Sequence, residues 1–241
     1  MSIETEVPAP SATDRVFIEC HDVGKTFMLR GREVHSVKAV DLTVQRGETL
    51  IIHGESGAGK STLLGLLAVL ERPSAGTLTV DGARVDLLQG DALLAWRRRV
   101  GFIFQAHNLL LGWTAEENVA AALMGMGLPR AEQRERAKQA LDRVGLGSRL
   151  DHLPGELSMG ERQRVAVARA LVRQPAFILA DEPTADVDEA SAQLIMEQLL
   201  EAARRPDVTL IVATHGEVRP ELTGRVFAMK SGALIPEGSV S

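Results

Sequence analysis

The sequence predicts an α/β fold: a mostly parallel sheet, an antiparallel β layer ahead of it, and an α-helical subdomain inserted in the middle. Three observations carry this expectation. The apolar run Thr49–His53 passes through Gly54-Glu55-Ser56-Gly57-Ala58-Gly59-Lys60-Ser61 into a second apolar run over 62–70, giving the strand, glycine loop and helix of a phosphate-binding turn. The continuous apolar segments Phe177–Asp181 and Val208–Thr214 flank a helical pattern at Ala190–Arg204, as parallel strands buried on both faces do. Ahead of the glycine loop, short strand-like segments end in turn signals.

In chain order, residues 1–14 are rich in Pro, Ser, Ala and Glu and read as a flexible N-terminal tail. Strands are expected at Val16–Cys20, Glu33–Val37 and Val40–Val44, the last closed by a turn at Gly47. Gly76–Asp81 alternates and ends in Asp81-Gly82, a hairpin signal leading to a strand at Arg84–Leu87. Val100–Phe104 reads as a short buried strand ending at Gln105. From Thr114 to Val172 the pattern is helical. Thr114-Ala115-Glu116-Glu117 and Ser158-Met159-Gly160-Glu161 are capping boxes, and Leu128-Pro129 opens a helix that Gly145 stops. A last hairpin, Arg225–Met229 with Ala233–Leu234, turns at Lys230-Ser231-Gly232 and leaves 236–241 as a C-terminal tail.

Composition narrows the function classes. With 241 residues, 45% hydrophobic and 24% charged, the chain has the make-up of a globular protein with a substantial core. A formal net charge of −5 argues against a general nucleic-acid binder. The single cysteine, Cys20, has no internal partner and reads as a buried strand residue in a reducing compartment. No apolar run is long enough to span a bilayer, and the acidic N-terminus lacks the features of a signal peptide. The expected location is therefore cytoplasmic, with any membrane association made through a partner.

The chemistry starts at the loop. Its glycines let several backbone N–H groups turn inward, and the following helix points its positive end at the same place. Gly54, Glu55, Ser56, Gly57, Ala58, Gly59, Lys60, Ser61 and Thr62 are the expected nucleoside-triphosphate-binding residues. Lys60 adds charge at the β/γ-phosphates, and the Ser61 hydroxyl is a candidate Mg²⁺ ligand. Phe177–Asp181 ends in two carboxylates, Asp181 and Glu182, where ligands of parallel sheets sit. Asp181 is placed to hold Mg²⁺ opposite Ser61. Glu182 can reach a water behind the γ-phosphate and act as its base.

The run Leu157-Ser158-Met159-Gly160-Glu161-Arg162-Gln163-Arg164-Val165-Ala166-Val167-Ala168-Arg169-Ala170-Leu171 resembles the signature region of the ATP-binding cassette (ABC) family. The order of glycine loop, Phe104-Gln105, signature, Asp181-Glu182-Pro183-Thr184 and Thr214-His215 carries the resemblance over roughly 16–235. It implies a P-loop NTPase with a RecA-like core at about 15–105 and 173–235 and a helical subdomain at about 106–172. It also implies a homodimer that sandwiches two ATP, binds Mg²⁺, and serves an integral membrane permease from the inner face of the membrane. Residue by residue, Phe27 matches the adenine-stacking aromatic, a plain core Phe being the alternative. Gln105 matches the glutamine that touches Mg²⁺ and the attacking water. Ser158, Met159, Gly160 and Glu161 match the segment that meets the partner's ATP, Asp188 the loop linking the two sites, and His215 the histidine at the γ-phosphate. Met159 stands where the family usually has glycine, which leaves a working site whose turnover this residue can alter. His53, His107 and His152 match nothing and read as structural.

Within the family, segments 97–110, 114–119, 154–158 and 179–184 resemble the lipoprotein-release (LolD-type), macrolide-export (MacB-type), cell-division (FtsE-type) and DevA-type branch. Ala185-Asp186-Val187-Asp188 departs from that branch's usual Gly-Asn-Leu-Asp, so the substrate is not implied. An ABC importer ATPase is the nearest alternative. A soluble ABC ATPase working on DNA or ribosomes and a small-molecule P-loop kinase are the alternatives from other classes.

Overall fold

The computed structural model describes residues 16–215 and 218–240, so the expected tail at 1–14 lies outside the described residues. The predicted α/β class is the one observed, and the chain builds two sheets. The first is antiparallel, with β1 (Val16–Leu29), β2 (Arg32–Gln45), β4 (Ala75–Val80) and β5 (Ala83–Arg84) in the order β2-β1-β4-β5. The second runs β10-β9-β3-β8-β7-β6, from β3 (Thr49–His53), β6 (Val100–Ile103), β7 (Phe177–Asp181), β8 (Thr209–Thr214), β9 (Gly224–Lys230) and β10 (Ala233–Val240). Strands β9, β3, β8, β7 and β6 are mutually parallel, and β10 closes one edge antiparallel.

The period of two along these strands divides the interior. Leu50, Ile52, Phe177, Leu179, Ile211 and Ala213 face α1 (Lys60–Leu67) and the antiparallel sheet. Ile51, Ile178, Ala180, Leu210 and Val212 face the opposite core. There they meet buried residues of α3 (Ala115–Ala121), α4 (Arg130–Arg143), α5 (Met159–Leu171) and α6 (Glu189–Ala203). Phe17 of β1 stacks edge-on against Phe177 of β7, with centroids 5.5 Å apart, and so joins the two sheets. Among the described residues no helix is long and apolar enough to cross a membrane.

Several local expectations hold. Both capping boxes form, Thr114 with Glu117 and Ser158 with Glu161. The Asp81-Gly82 turn joins β4 to β5 with Val80 opposite Ala83. Others change. The strands read separately at 33–37 and 40–44 are one strand, β2, and β1 runs on to Leu29. The turn between them, Arg30-Gly31, has positive φ at both residues, the geometry of a two-residue hairpin. The strand expected at Arg84–Leu87 becomes a helical turn after Arg84, and α2 (Gly90–Arg97) was not foreseen. The segment read as a C-terminal tail, 236–241, is strand β10 through Val240, because it pairs with β9 although its side chains are exposed.

Candidate active site

Several elements converge on the glycine loop. Strand β3 delivers it, and the Gly54 N–H is tied to the Thr214 carbonyl of β8 at 3.2 Å. The Gly232 N–H donates to the Ala58 carbonyl at 2.9 Å and pins the loop's far side to the β9–β10 turn. Gly59 caps α1 in a left-handed conformation (φ 109), where a Cβ would overlap the Ser36 carbonyl. Only glycine lets the chain enter the helix this close to β2. With no side-chain cap there, the first-turn N–H groups of α1 face the loop's interior as an anion site.

Lys60 is buried at the start of α1. Its Nζ donates to the carbonyls of Gly54 (2.7 Å) and Glu55 (3.1 Å) and lies 3.3 Å from Glu182 Oε1. The other Glu182 oxygen, Oε2, accepts from the His215 backbone N–H at 3.1 Å and sits 2.7 Å from His215 Nδ1. Glu182 follows β7 with φ 49, a left-handed conformation that costs about 1–3 kcal/mol for a non-glycine residue. The Glu182 N–H to Ala213 carbonyl bond (2.9 Å) holds it there. The strain aims the carboxylate at Lys60 and His215. The imidazole of His215 is largely exposed.

Asp181, the last residue of β7, is buried. Ser61 hydrogen-bonds its side chain, yet Oδ1 has no partner. Burial pushes its pKa up, and nearby Glu182 pushes the same way, against the Ser61 bond and the charge of Lys60. A buried carboxylate oxygen without a donor, beside a serine hydroxyl, is a hard-oxygen donor set that fits Mg²⁺.

These groups line a cleft of about 320 Å³ together with Ser36, Ser56, Thr62, Gln105 and Asp186. A wider hollow of about 540 Å³ lies along the other side of the loop, between His53 and Lys230. His53, which lines it, meets Glu237 Oε2 through Nε2 at 2.5 Å, a structural pairing for a histidine that no motif explained. A larger hollow than either, about 790 Å³ between α3 and α4, holds none of these groups. Charge, not volume, locates the chemistry.

The structure therefore brings Lys60, Ser61, Gln105, Glu182 and His215 to one cleft, with Asp181 beside it. Among the described residues, Phe27, Asp188 and Ser158–Glu161 do not line it. Phe27 is 36% exposed on β1, with the Lys25 ammonium 4.9 Å from its ring centre. Asp188 caps α6, accepting from the Ser191 N–H (2.9 Å) and hydroxyl (2.8 Å), and these bonds hold its pKa below the usual carboxylate range. Ser158 caps α5. Its hydroxyl accepts from the Glu161 N–H at 3.2 Å, while Glu161 Oε2 accepts from the Ser158 N–H at 2.8 Å. Met159 is 44% exposed. Gly160 is buried, and a Cβ there would stand 2.5 Å from Ser191 Oγ and 2.8 Å from Asp188 Oδ2.

Three residues beyond the sequence expectations belong to this arrangement. Asp186 lines the cleft, and the Ser36 hydroxyl bonds that of Thr62 at 2.8 Å. Buried Gln163 of α5 donates to the Pro183 carbonyl at 3.0 Å, tying that helix to the turn after Glu182. Asp186 stands two residues before Asp188 and could have been found there; the other two depend on distant partners.

Comparison with known proteins places this geometry. The family described as ABC transporter matches residues 37–185. The lipoprotein-releasing system ATP-binding protein LolD of Geobacter metallireducens is 40% identical over 221 residues, covering 91% of this chain and 98% of that protein. The methionine import ATP-binding protein MetN 1 of Listeria monocytogenes serotype 4b is 39% identical over 224 residues. That match covers 92% of this chain and 66% of the relative, just under two thirds of its length. Among solved structures, the dimeric ATP-binding cassette MJ0796, in a post-hydrolysis state bound to ADP and Pi, superposes with a TM-score of 0.86. It is 34% identical, over 93% of this chain and 99% of that one.

Proposed function

The chain belongs to the ABC transporter family, whose ATP-binding cassettes hydrolyse ATP, and on that premise we propose that two copies of it bind two ATP between them. Each ATP would lie between the glycine loop of one copy and Ser158–Glu161 of the other. The observation that carries this reading is the Lys60–Glu182–His215 chain beside the unpartnered Asp181 oxygen. That chain is set for phosphate chemistry, and its cleft lacks the signature residues.

In this reading Lys60 exchanges the Gly54 and Glu55 carbonyls for β- and γ-phosphate oxygens, and the first-turn N–H groups of α1 hold the same chain. Ser61 and Asp181, with Gln105, would hold Mg²⁺, which when bound offsets phosphate charge. Glu182, released by Lys60, accepts a proton from a water as its oxygen attacks the γ-phosphorus. The bond to the β-bridging oxygen breaks and ADP leaves. His215 holds the Glu182 carboxylate and contacts the γ-phosphate. Phe27 stacks on adenine, its ring already flanked by the Lys25 ammonium at 4.9 Å. From the second copy, Ser158 and the N–H groups of Met159 and Gly160 meet the γ-phosphate, with Glu161 keeping that helix start capped. Asp188 links the two sites.

The dimer would drive an integral membrane permease from the cytoplasmic face, the helical subdomain over about 106–172 moving with that partner. An export, lipoprotein-release or force-transmitting system is the first reading, since the match to LolD spans nearly all of that protein. An importer is the second, favoured by the comparable identity to MetN 1. Co-purification with a permease from the native membrane, followed by transport assays of that complex, separates the two.

The test of the chemistry is Glu182→Gln. Turnover should fall by about 10²-fold or more, while ATP and Mg²⁺ stay bound and a stable dimer accumulates. Hydrolysis at the native rate would remove Glu182 as the base. Lys60→Ala should instead weaken ATP binding itself. Phosphate should be released without any phosphorylated acceptor, which separates this activity from a kinase.

A further inference from the structure

The segment after Gln105 is held in a shape it would not keep alone. His107 and Asn108 are consecutive residues with positive φ, 59° and 49°. Two such non-glycine residues in a row persist only where their surroundings impose them. The turn's own bonds, His107 N–H to the Phe104 carbonyl at 3.2 Å and Asn108 N–H to the Ala106 carbonyl at 2.6 Å, are joined by a tertiary hold from Arg169 on the far half of α5. Its two terminal nitrogens donate separately, one to the His107 carbonyl at 2.7 Å and one to the Asn108 carbonyl at 2.6 Å. A planar guanidinium can grip two adjacent carbonyls in this way; an ammonium makes a single-point contact.

The flanks of the segment are fixed elsewhere. Before it, β6 ends at Ile103 in the sheet. After it, the fully buried Asn118 of α3 accepts from the Leu110 N–H at 2.7 Å and donates to the carbonyls of Leu110, Trp113 and Thr114. Gln105 thus stands at an exposed corner between strand and clamp, where it reaches the phosphate cleft. Its position follows from where His107 and Asn108 are held.

We propose that Arg169 is a positioning residue for Gln105, setting that amide over the cleft by clamping the His107 and Asn108 carbonyls to the helix that begins at Ser158. The same helix grips the turn after Glu182 through Gln163, so one rigid element aligns both sides of the cleft. This inference rests on the proposed role of Gln105 at Mg²⁺ and the attacking water.

The experiment is a two-residue cycle read by Mg²⁺ titration of steady-state ATPase, with Arg169→Lys, Gln105→Ala and the double variant. Arg169→Lys should lower kcat about tenfold or more and raise the Mg²⁺ concentration for half-maximal rate. The KM for ATP should stay within about twofold, since Lys60 and its loop are untouched. Gln105→Ala should show the same pattern, and the double variant should be no worse than Gln105→Ala, because Arg169 acts through that residue. Multiplying effects would overturn the proposal, as would a variant that loses thermal stability but keeps the native Mg²⁺ requirement. Should Gln105→Ala itself change neither kcat nor Mg²⁺ dependence, the reading of Gln105 fails and takes this inference with it. If instead Gln105→Ala shifts both and Arg169→Lys shifts neither, the inference alone fails.

Discussion

At the end of β7 the Asp181 carboxylate keeps one oxygen buried without a donor, and burial raises its pKa. Such a group is poorly placed for stability and well placed for a cation. The folded state holds this proton more tightly than the unfolded chain does. The group's contribution to stability therefore falls as pH rises from the ordinary carboxylate value through the raised one. Asp181→Asn removes that loss. Without nucleotide it should raise the thermal midpoint at neutral pH by about 2–4 °C, for about 1 kcal/mol recovered. It should also abolish the further stabilisation that Mg²⁺ adds in the presence of ATP, which differential scanning calorimetry with and without Mg²⁺ can read. Met159 poses the opposite question. Its side chain is exposed while the next residue takes the packed position, so the chain accommodates methionine where the family has glycine. Met159→Gly should change the unfolding free energy by less than about 1 kcal/mol. Any change in turnover then measures what the side chain does across the dimer; unchanged affinity and turnover would make the position neutral.

Helix α5 does more than present the signature residues. Ser158 caps it, Gly160 packs its first turn on α6, Gln163 bonds the Pro183 carbonyl, and Arg169 bonds the segment after Gln105. Gly160→Ala puts a methyl 2.5 Å from Ser191 Oγ, so it should destabilise the fold by about 1–3 kcal/mol in urea unfolding. Ser191→Gly in the same chain should recover part of that. Full stability of the single variant would show that α6 yields at no cost. The caps were legible because each is a bond between residues three apart. Other elements were not. The outer half of β1 and the end of β10 are exposed and carry no alternation, so only their pairing makes them strands. Helix α2 is short and buries only Trp96, too little to mark a helical period.

Across the whole molecule, the two cores on either side of the main sheet place the two carboxylates and the glycine loop at the same edge. Cys20 shows how closed the antiparallel side is. It is 1% exposed, and burial with the nearby charges of Asp41 and Glu19 pushes its thiol pKa up to about 12. In the folded protein at pH 8 it should resist a soluble disulfide reagent and react only at the rate of unfolding. Rapid labelling of native protein would mean the sheet opens locally. At the largest scale, Glu182→Gln with ATP should shift the protein from monomer to dimer in light scattering, and removal of Mg²⁺ or ATP should return it.

The sequence by itself determined the α/β class, the glycine loop with Lys60 and Ser61, the carboxylate pair and the capped start of α5. Each is encoded over a few consecutive residues by periodicity or local hydrogen bonding. The tertiary structure alone decided that Glu182 lies between Lys60 and His215, that Gly160 is committed to α6, that Glu237 reaches His53, and that Arg169 clamps the turn after Gln105. Those pairings join residues far apart in the chain. Sheet order and core packing bring them together, and neither leaves a mark on any short stretch of sequence.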